Sequence, residues 1–107
     1  MPKNLIENDA AITASCKLLS AMKSPKRFRV LAILSKVEMS VGKLALELKV
    51  SQPVMSQLLA ALWDDGFLTA WRDGLTVFYS CQSSAVHSHL RTIDAIIPIK
   101  RSISRVA

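Results

Sequence analysis

Residues 50–68 read VSQPVMSQLLAALWDDGFL. A Ser-Gln-Pro opens an apolar-periodic run and a glycine closes it. Ser51 is placed to cap a helix. Pro53 falls in the first turn, where a missing N–H has no helical partner to lose. Gly66 stands where a helix ending favours a left-handed residue. The predicted helix runs from Gln52 to Asp65. At about 100° per residue, Val54, Leu58, Ala61 and Leu62 fall on one side, with Met55 at its margin. Gln52, Pro53, Ser56, Ala60 and Trp63 fall on the other, and Gln57 on a flank. The first half of that outer side is short-chained and uncharged, with no carboxylate before Asp64.

Upstream, three further helices are predicted. The first runs from Asp9, taken as its N-cap, to Met22. The second starts with Ser24 as cap and Pro25 at its first position, where proline is tolerated. Phe28, Val30, Leu31, Ile33 and Leu34 form its buried stripe. Glu38-Met39-Ser40 is read as a short link. Ser40 then caps a third helix with Val41, Leu44, Ala45 and Leu48 on its inner face, and Lys49-Val50 makes a tight turn. After Gly66 the period changes from that of a helix to that of a strand. Phe67–Trp71 and Thr76–Ser80 read as two strands joined by Arg72-Asp73-Gly74-Leu75, with Asp-Gly as the hairpin signal. Helical spacing returns from Ser83 to Ile97, and Pro98 stops it. The expected fold is mainly α with a small β-hairpin, in the order α-α-α-α-β-β-α: a winged helix-turn-helix. Residues 1–8 are expected to be frayed, 9–97 to form the domain, and 98–107 to be a basic tail carrying Lys100, Arg101 and Arg105.

The chain has 107 residues, one domain's worth, and a formal net charge of +6. A basic excess suits a polyanion. Its two cysteines, Cys16 and Cys81, form no CxxC and no disulfide framework, which points to a reducing, cytoplasmic setting. The first residues lack the apolar core of a signal peptide. No apolar run approaches the roughly 18 residues of a membrane span. No nucleophile–base set, phosphate loop or carboxylate pair marks an enzyme.

The outer face of the fourth helix has the chemistry of a major-groove reader. Gln pairs with adenine through both amide groups, Ser suits base edges or phosphate, and a carboxylate there would repel phosphate. Gln52, Ser56 and Gln57 are the expected base readers. Ser51 is expected as cap and phosphate contact, and Pro53 as a rigid apolar surface for a thymine methyl. A solvated helix face would look similar in isolation; the hairpin downstream and the basic balance favour DNA.

The chain resembles the ArsR/SmtB family of small bacterial winged-helix repressors over roughly residues 10–95. The matching stretches are LLSAMKSPKRFRVLAIL and MSVGKLALELKVSQPVMSQLLAALWDDGFLTAWRDGLTVFYS. They carry Pro25-Lys26-Arg27 at the start of the second helix, Ser51 through Ser56-Gln57 on the recognition helix, and Phe78-Tyr79 at the end of the wing. The Ser-Gln…Ser-Gln form is similar to members that control nodulation or virulence genes rather than metal efflux. The resemblance implies a homodimer joined through its first and last helices, binding a palindromic double-stranded DNA operator. Ile12, Cys16, Leu19, Val86, Leu90, Ile93 and Ile97 are the expected interface. Ordinary intrachain core is the other reading of those positions.

Departures from the family pattern matter. Ser40 and Gly42 stand where metal-sensing members carry two cysteines, and neither replaces a thiolate for a soft metal. His87 and His89 are two apart, so they point about 200° from each other on a helix and do not chelate one ion. No metal and no cofactor are expected. Thiol-switch members place cysteines in the second or third helix and the last helix, and Cys16 and Cys81 match neither.

Around the recognition helix, Arg72 is expected to touch phosphate or a minor groove, with a solvated turn arginine as the alternative. Lys26 and Arg27, near Lys23, are placed to meet phosphate at a helix N-terminus; an internal ion pair is the alternative for Arg27. Trp63 is read as packing on the wing or on Trp71. The rival to DNA binding is a winged-helix module that binds protein.

Overall fold

The structure is a computed structural model that describes residues 8–97; the remaining N-terminal residues and the 98–107 tail, with Lys100, Arg101 and Arg105, lie outside the described residues. The elements are α1 (Asp9–Lys23), α2 (Pro25–Leu34), β1 (Met39–Ser40), α3 (Val41–Leu48), α4 (Gln52–Asp64), β2 (Thr69–Asp73), β3 (Thr76–Ser80) and α5 (Ser84–Ile96). This is the winged helix-turn-helix order, with one strand more than expected.

Local side-chain chemistry sets most boundaries. Ser24, Ser40, Ser51 and Ser83 each sit in extended backbone, and each hydroxyl accepts from the amide three residues on. Ser24 also ends α1, so one residue separates two helices. Pro25 then enters α2 without loss, because the first amides of a helix have no helical acceptor. At the chain's start the cap is Asn8 rather than Asp9: Asn8 Oδ1 accepts from the Ala11 amide at 3.0 Å. Asp9 lies inside the first turn, where its charge favours the positive helix end.

The core centres on the second half of α2, where Val30, Leu31, Ala32, Ile33 and Leu34 are all buried. Ala21 and Met22 of α1, Leu44 and Ala45 of α3, Met55, Leu59 and Leu62 of α4, Phe67, Leu68, Cys81 and Val86 complete it. Val86 is fully buried inside the single chain. That corrects its assignment to a dimer interface, since its side chain has no surface to offer a partner. Leu90 packs against the same core from α5.

The buried face of α4 also differs from the expected one. Met55, Leu59 and Leu62 are each 0% exposed, whereas Val54 is 45% exposed. The run Leu58-Leu59-Ala60-Ala61-Leu62 offers two overlapping apolar stripes, and packing selects the one centred on Leu59. Gln57 then lies roughly 190° from the mean of that buried stripe, at the middle of the outer face rather than on a flank.

The sheet has the order β1-β3-β2, antiparallel throughout. Met39 pairs with Tyr79 and Ser40 with Phe78, so the expected link is a short edge strand that ties α3 to the wing. The hairpin is tighter than read from sequence. Arg72 and Asp73 belong to β2, Asp73 pairs with Thr76, and the loop is Gly74-Leu75. Gly74 takes φ +63, as the first residue of a two-residue hairpin loop requires. Phe67 and Leu68 precede β2 and are buried, anchoring the wing's base in the core. From the other end of the wing, the Cys81 amide donates to the Leu34 carbonyl at 2.9 Å.

Candidate nucleic-acid interface

The start of α4 is built by one serine. Ser51 Oγ accepts from the Val54 amide at 3.3 Å, and the Ser51 carbonyl accepts from the Met55 amide at 3.0 Å. The cap holds the first turn while Met55, Leu59 and Leu62 fix the rotation of the helix about its axis. Ser51, Gln52, Pro53, Ser56 and Gln57 are thereby all left exposed on one element. The first turn contains no acidic residue, so the positive end of the helix dipole is not offset. Asp64 lies about 18 Å further along the axis. Such a surface accepts and donates hydrogen bonds, tolerates close approach of a polyanion, and has a carboxylate only at its remote end.

Arg72 is exposed on β2, beside a loop whose Leu75 is 98% exposed. Lys26 and Arg27 stand on a different element, the first turn of α2. Lys26 is exposed and Arg27 half-buried, its amide 3.5 Å from Ser24 Oγ. The Arg27 side chain has no ion pair among the described residues, so the internal pairing considered for it is not made there. Trp63 is 53% exposed at the far end of α4. Trp71 takes Phe78 as its stacking partner.

The histidines and cysteines have other surroundings. His87 Nε2 lies 2.8 Å from the Cys81 carbonyl oxygen. Cys81 is buried, and burial pushes its thiol pKa up, partly offset by a hydrogen bond from the Ser83 backbone. Cys16 is exposed on α1. Among the described residues, no three His, Cys, Asp or Glu side chains are placed to hold a metal ion. No helix among them is long and apolar enough to cross a membrane.

Comparison with known proteins meets this geometry at the same place. Residues 24–70 match the profile described as "Bacterial regulatory protein, arsR family", a span that runs from the cap of α2 into β2. The chain is 35% identical over 95 residues to the transcriptional activator HlyU of Vibrio cholerae, covering 89% of this chain and 88% of that one. The chain belongs to the arsR family of bacterial regulatory proteins. It is also 44% identical over 88 residues to the nodulation protein NolR of Rhizobium meliloti, covering 82% of this chain and 70% of the relative. The crystal structure of NolR from Sinorhizobium fredii superposes with a TM-score of 0.76 at 36% identity, covering 80% of this chain and 86% of that one. The chain is accordingly a winged-helix, DNA-binding transcriptional regulator.

Two parts of the site escaped the sequence reading. The outward position of Gln57 and Val54 was hidden by the ambiguous apolar run of α4. The strand Met39–Ser40, which ties the helix-turn-helix to the wing, has two residues and thus no alternation to detect.

Proposed function

We propose that this protein is a cytoplasmic homodimeric repressor that reads a palindromic operator with α4 and occludes a promoter. The observation that carries the reading is the exposed, carboxylate-free face at the start of α4. Gln52, Ser56 and Gln57 contact base edges, Pro53 meets a thymine methyl, and Ser51 adds a phosphate contact to its capping role. Arg72 on the wing and Lys26 and Arg27 on α2 hold phosphate, which sets register without reading sequence. Residues 9–97 act as the DNA-binding and dimerisation domain. The reading assigns no catalytic chemistry, no membrane association and no metal; Ser40 and Gly42 supply no thiolate.

The proposed dimer joins α1 and α5. Support comes from apolar side chains that a single chain leaves open. Ile12 is 40% exposed, Leu19 55%, Ile96 76% and Ile97 60%. Cys16 is exposed among the α1 positions, and Leu90 and Ile93 are half-buried on α5. A two-fold dimer would set two α4 helices in successive major grooves, about 34 Å apart.

Exposed Trp63 and Trp71 favour a second reading, a winged-helix module that binds protein, since exposed aromatic surface marks interaction sites. Selection from a random duplex library at two salt concentrations separates the two. An enriched palindrome with half-sites one helical turn apart supports the operator reading. Salt-sensitive binding without enrichment sinks it and moves the protein-binding reading ahead.

A further inference from the structure

The chain ends two helices with the same hydrogen-bond motif. After α4, the Gly66 amide donates to the Trp63 carbonyl at 2.9 Å and the Phe67 amide to the Leu62 carbonyl at 3.0 Å. After α3, the Lys49 amide donates to the Leu46 carbonyl at 3.3 Å and the Val50 amide to the Ala45 carbonyl at 3.0 Å. Both are Schellman endings, and both put the hinge residue in left-handed backbone: Gly66 at φ +84, Lys49 at φ +56. Glycine suits this position because any Cβ there crowds the neighbouring carbonyl. Lys49 is the one non-glycine residue with positive φ among the described residues.

No side-chain partner among the described residues accounts for a lysine at this hinge. Lys49 is exposed, and its ammonium has no hydrogen bond or ion pair among the described residues. Strain kept where glycine would relieve it points to a task for the side chain outside the fold. The location narrows the task. Lys49 lies in the turn between α3 and α4, two residues before the cap Ser51 and three before Gln52, at the end of α4 that carries no acid. Lys43 is exposed on α3 one and a half turns earlier.

We propose that Lys49 is a DNA-backbone contact, its ammonium holding a phosphate at the edge of the groove that α4 enters. The inference rests on the operator reading of α4. A different benefit, the attraction of an ammonium to the negative end of α3, would act on folding alone. The two leave different fingerprints.

The test measures binding of the full chain to its selected operator duplex across salt concentrations, together with melting temperatures, for wild type, Lys49→Arg, Lys49→Gln and Lys49→Gly. Lys49→Arg should keep the wild-type slope of log affinity against log salt. Lys49→Gln and Lys49→Gly should each flatten that slope by about 0.9 per protomer and bind more weakly, with the same preferred sequence. Lys49→Gly should also melt above the wild type, because the strain is gone. A wild-type slope in Lys49→Gln overturns this inference alone. A Lys49→Gly chain that melts below the wild type overturns the strain argument and gives the lysine to the helix dipole. A wild type that shows no salt-dependent duplex binding overturns the operator reading, and this inference with it.

Discussion

Trp71 stacks on Phe78 across the wing, with ring centroids 6.0 Å apart and planes 19° from parallel. The two are register partners in β2 and β3. They lie on the opposite face from the Met39–Tyr79 pair, whose side chains pack on the core. The wing is therefore held from both sides, by the core at its base and by an aromatic pair along its outer face. Trp71→Ala should lose about 0.5–1.5 kcal/mol from the stack. The loss should show as faster amide exchange in β2 and β3, with the helices unchanged. Unaltered exchange in the wing would mean that the stack contributes nothing to its order.

The outward position of Gln57 gives a prediction about specificity. Gln57→Ala and Ser56→Ala should each cost about 1–3 kcal/mol against the base that is read, and relax preference at that operator position only. Ser51→Ala should instead cost about 1 kcal/mol of folding stability, because it removes the α4 cap. Competition with operator variants checks the first, and urea unfolding the second. Unchanged sequence preference in both the Gln57 and Ser56 variants would remove α4 as the reader.

Leu19 and Val86 both belong to the interface that the family resemblance implies, but the fold separates them. Leu19 is 55% exposed and Val86 0%. Leu19→Glu should drive the protein toward monomer in sedimentation equilibrium and weaken operator binding. Val86→Ala should leave association intact and cost about 2 kcal/mol of stability, from two lost methyl groups and a residual cavity. A Leu19→Glu chain that sediments like the wild type would count against α1 in the dimer.

The buried Cys81 thiol predicts a pH dependence of stability. Its folded pKa is raised, first by burial, and the Ser83 backbone pulls part of the way back. The folded state therefore favours the neutral thiol. This contribution is fully present below the unfolded thiol's pKa, about 8.5, and is lost as pH rises through the folded value. Urea midpoints from pH 7 to pH 10 should fall more steeply for wild type than for Cys81→Ala. Parallel curves would refute the link.

The helix starts were legible in the sequence. Ser24, Ser40 and Ser51 cap as expected because each hydroxyl reaches an amide three residues away, and that reach depends on nothing distant; Ser83, expected as the first residue of the last helix, is its cap instead. The error at the first helix was of the same local kind, since Asn8 and Asp9 are both good caps and adjacent. The hairpin was legible from its change of period, although the loop is Gly74-Leu75 alone and not the four residues Arg72 to Leu75.

What the sequence determined by itself were the features written in neighbouring residues: the element order, the serine caps, the glycine ending after α4, the basic balance, and the family likeness. Only the tertiary structure decided which apolar residues of α4 turn inward, that Met39–Ser40 joins the sheet, and that Val86 belongs to the chain's own core while Leu19 stays open. The physical reason is common to all three. Periodicity states that a face is apolar, but burial is assigned by whatever packs against it. A run such as Leu58–Leu62 satisfies more than one rotation until α2 and α3 are in place.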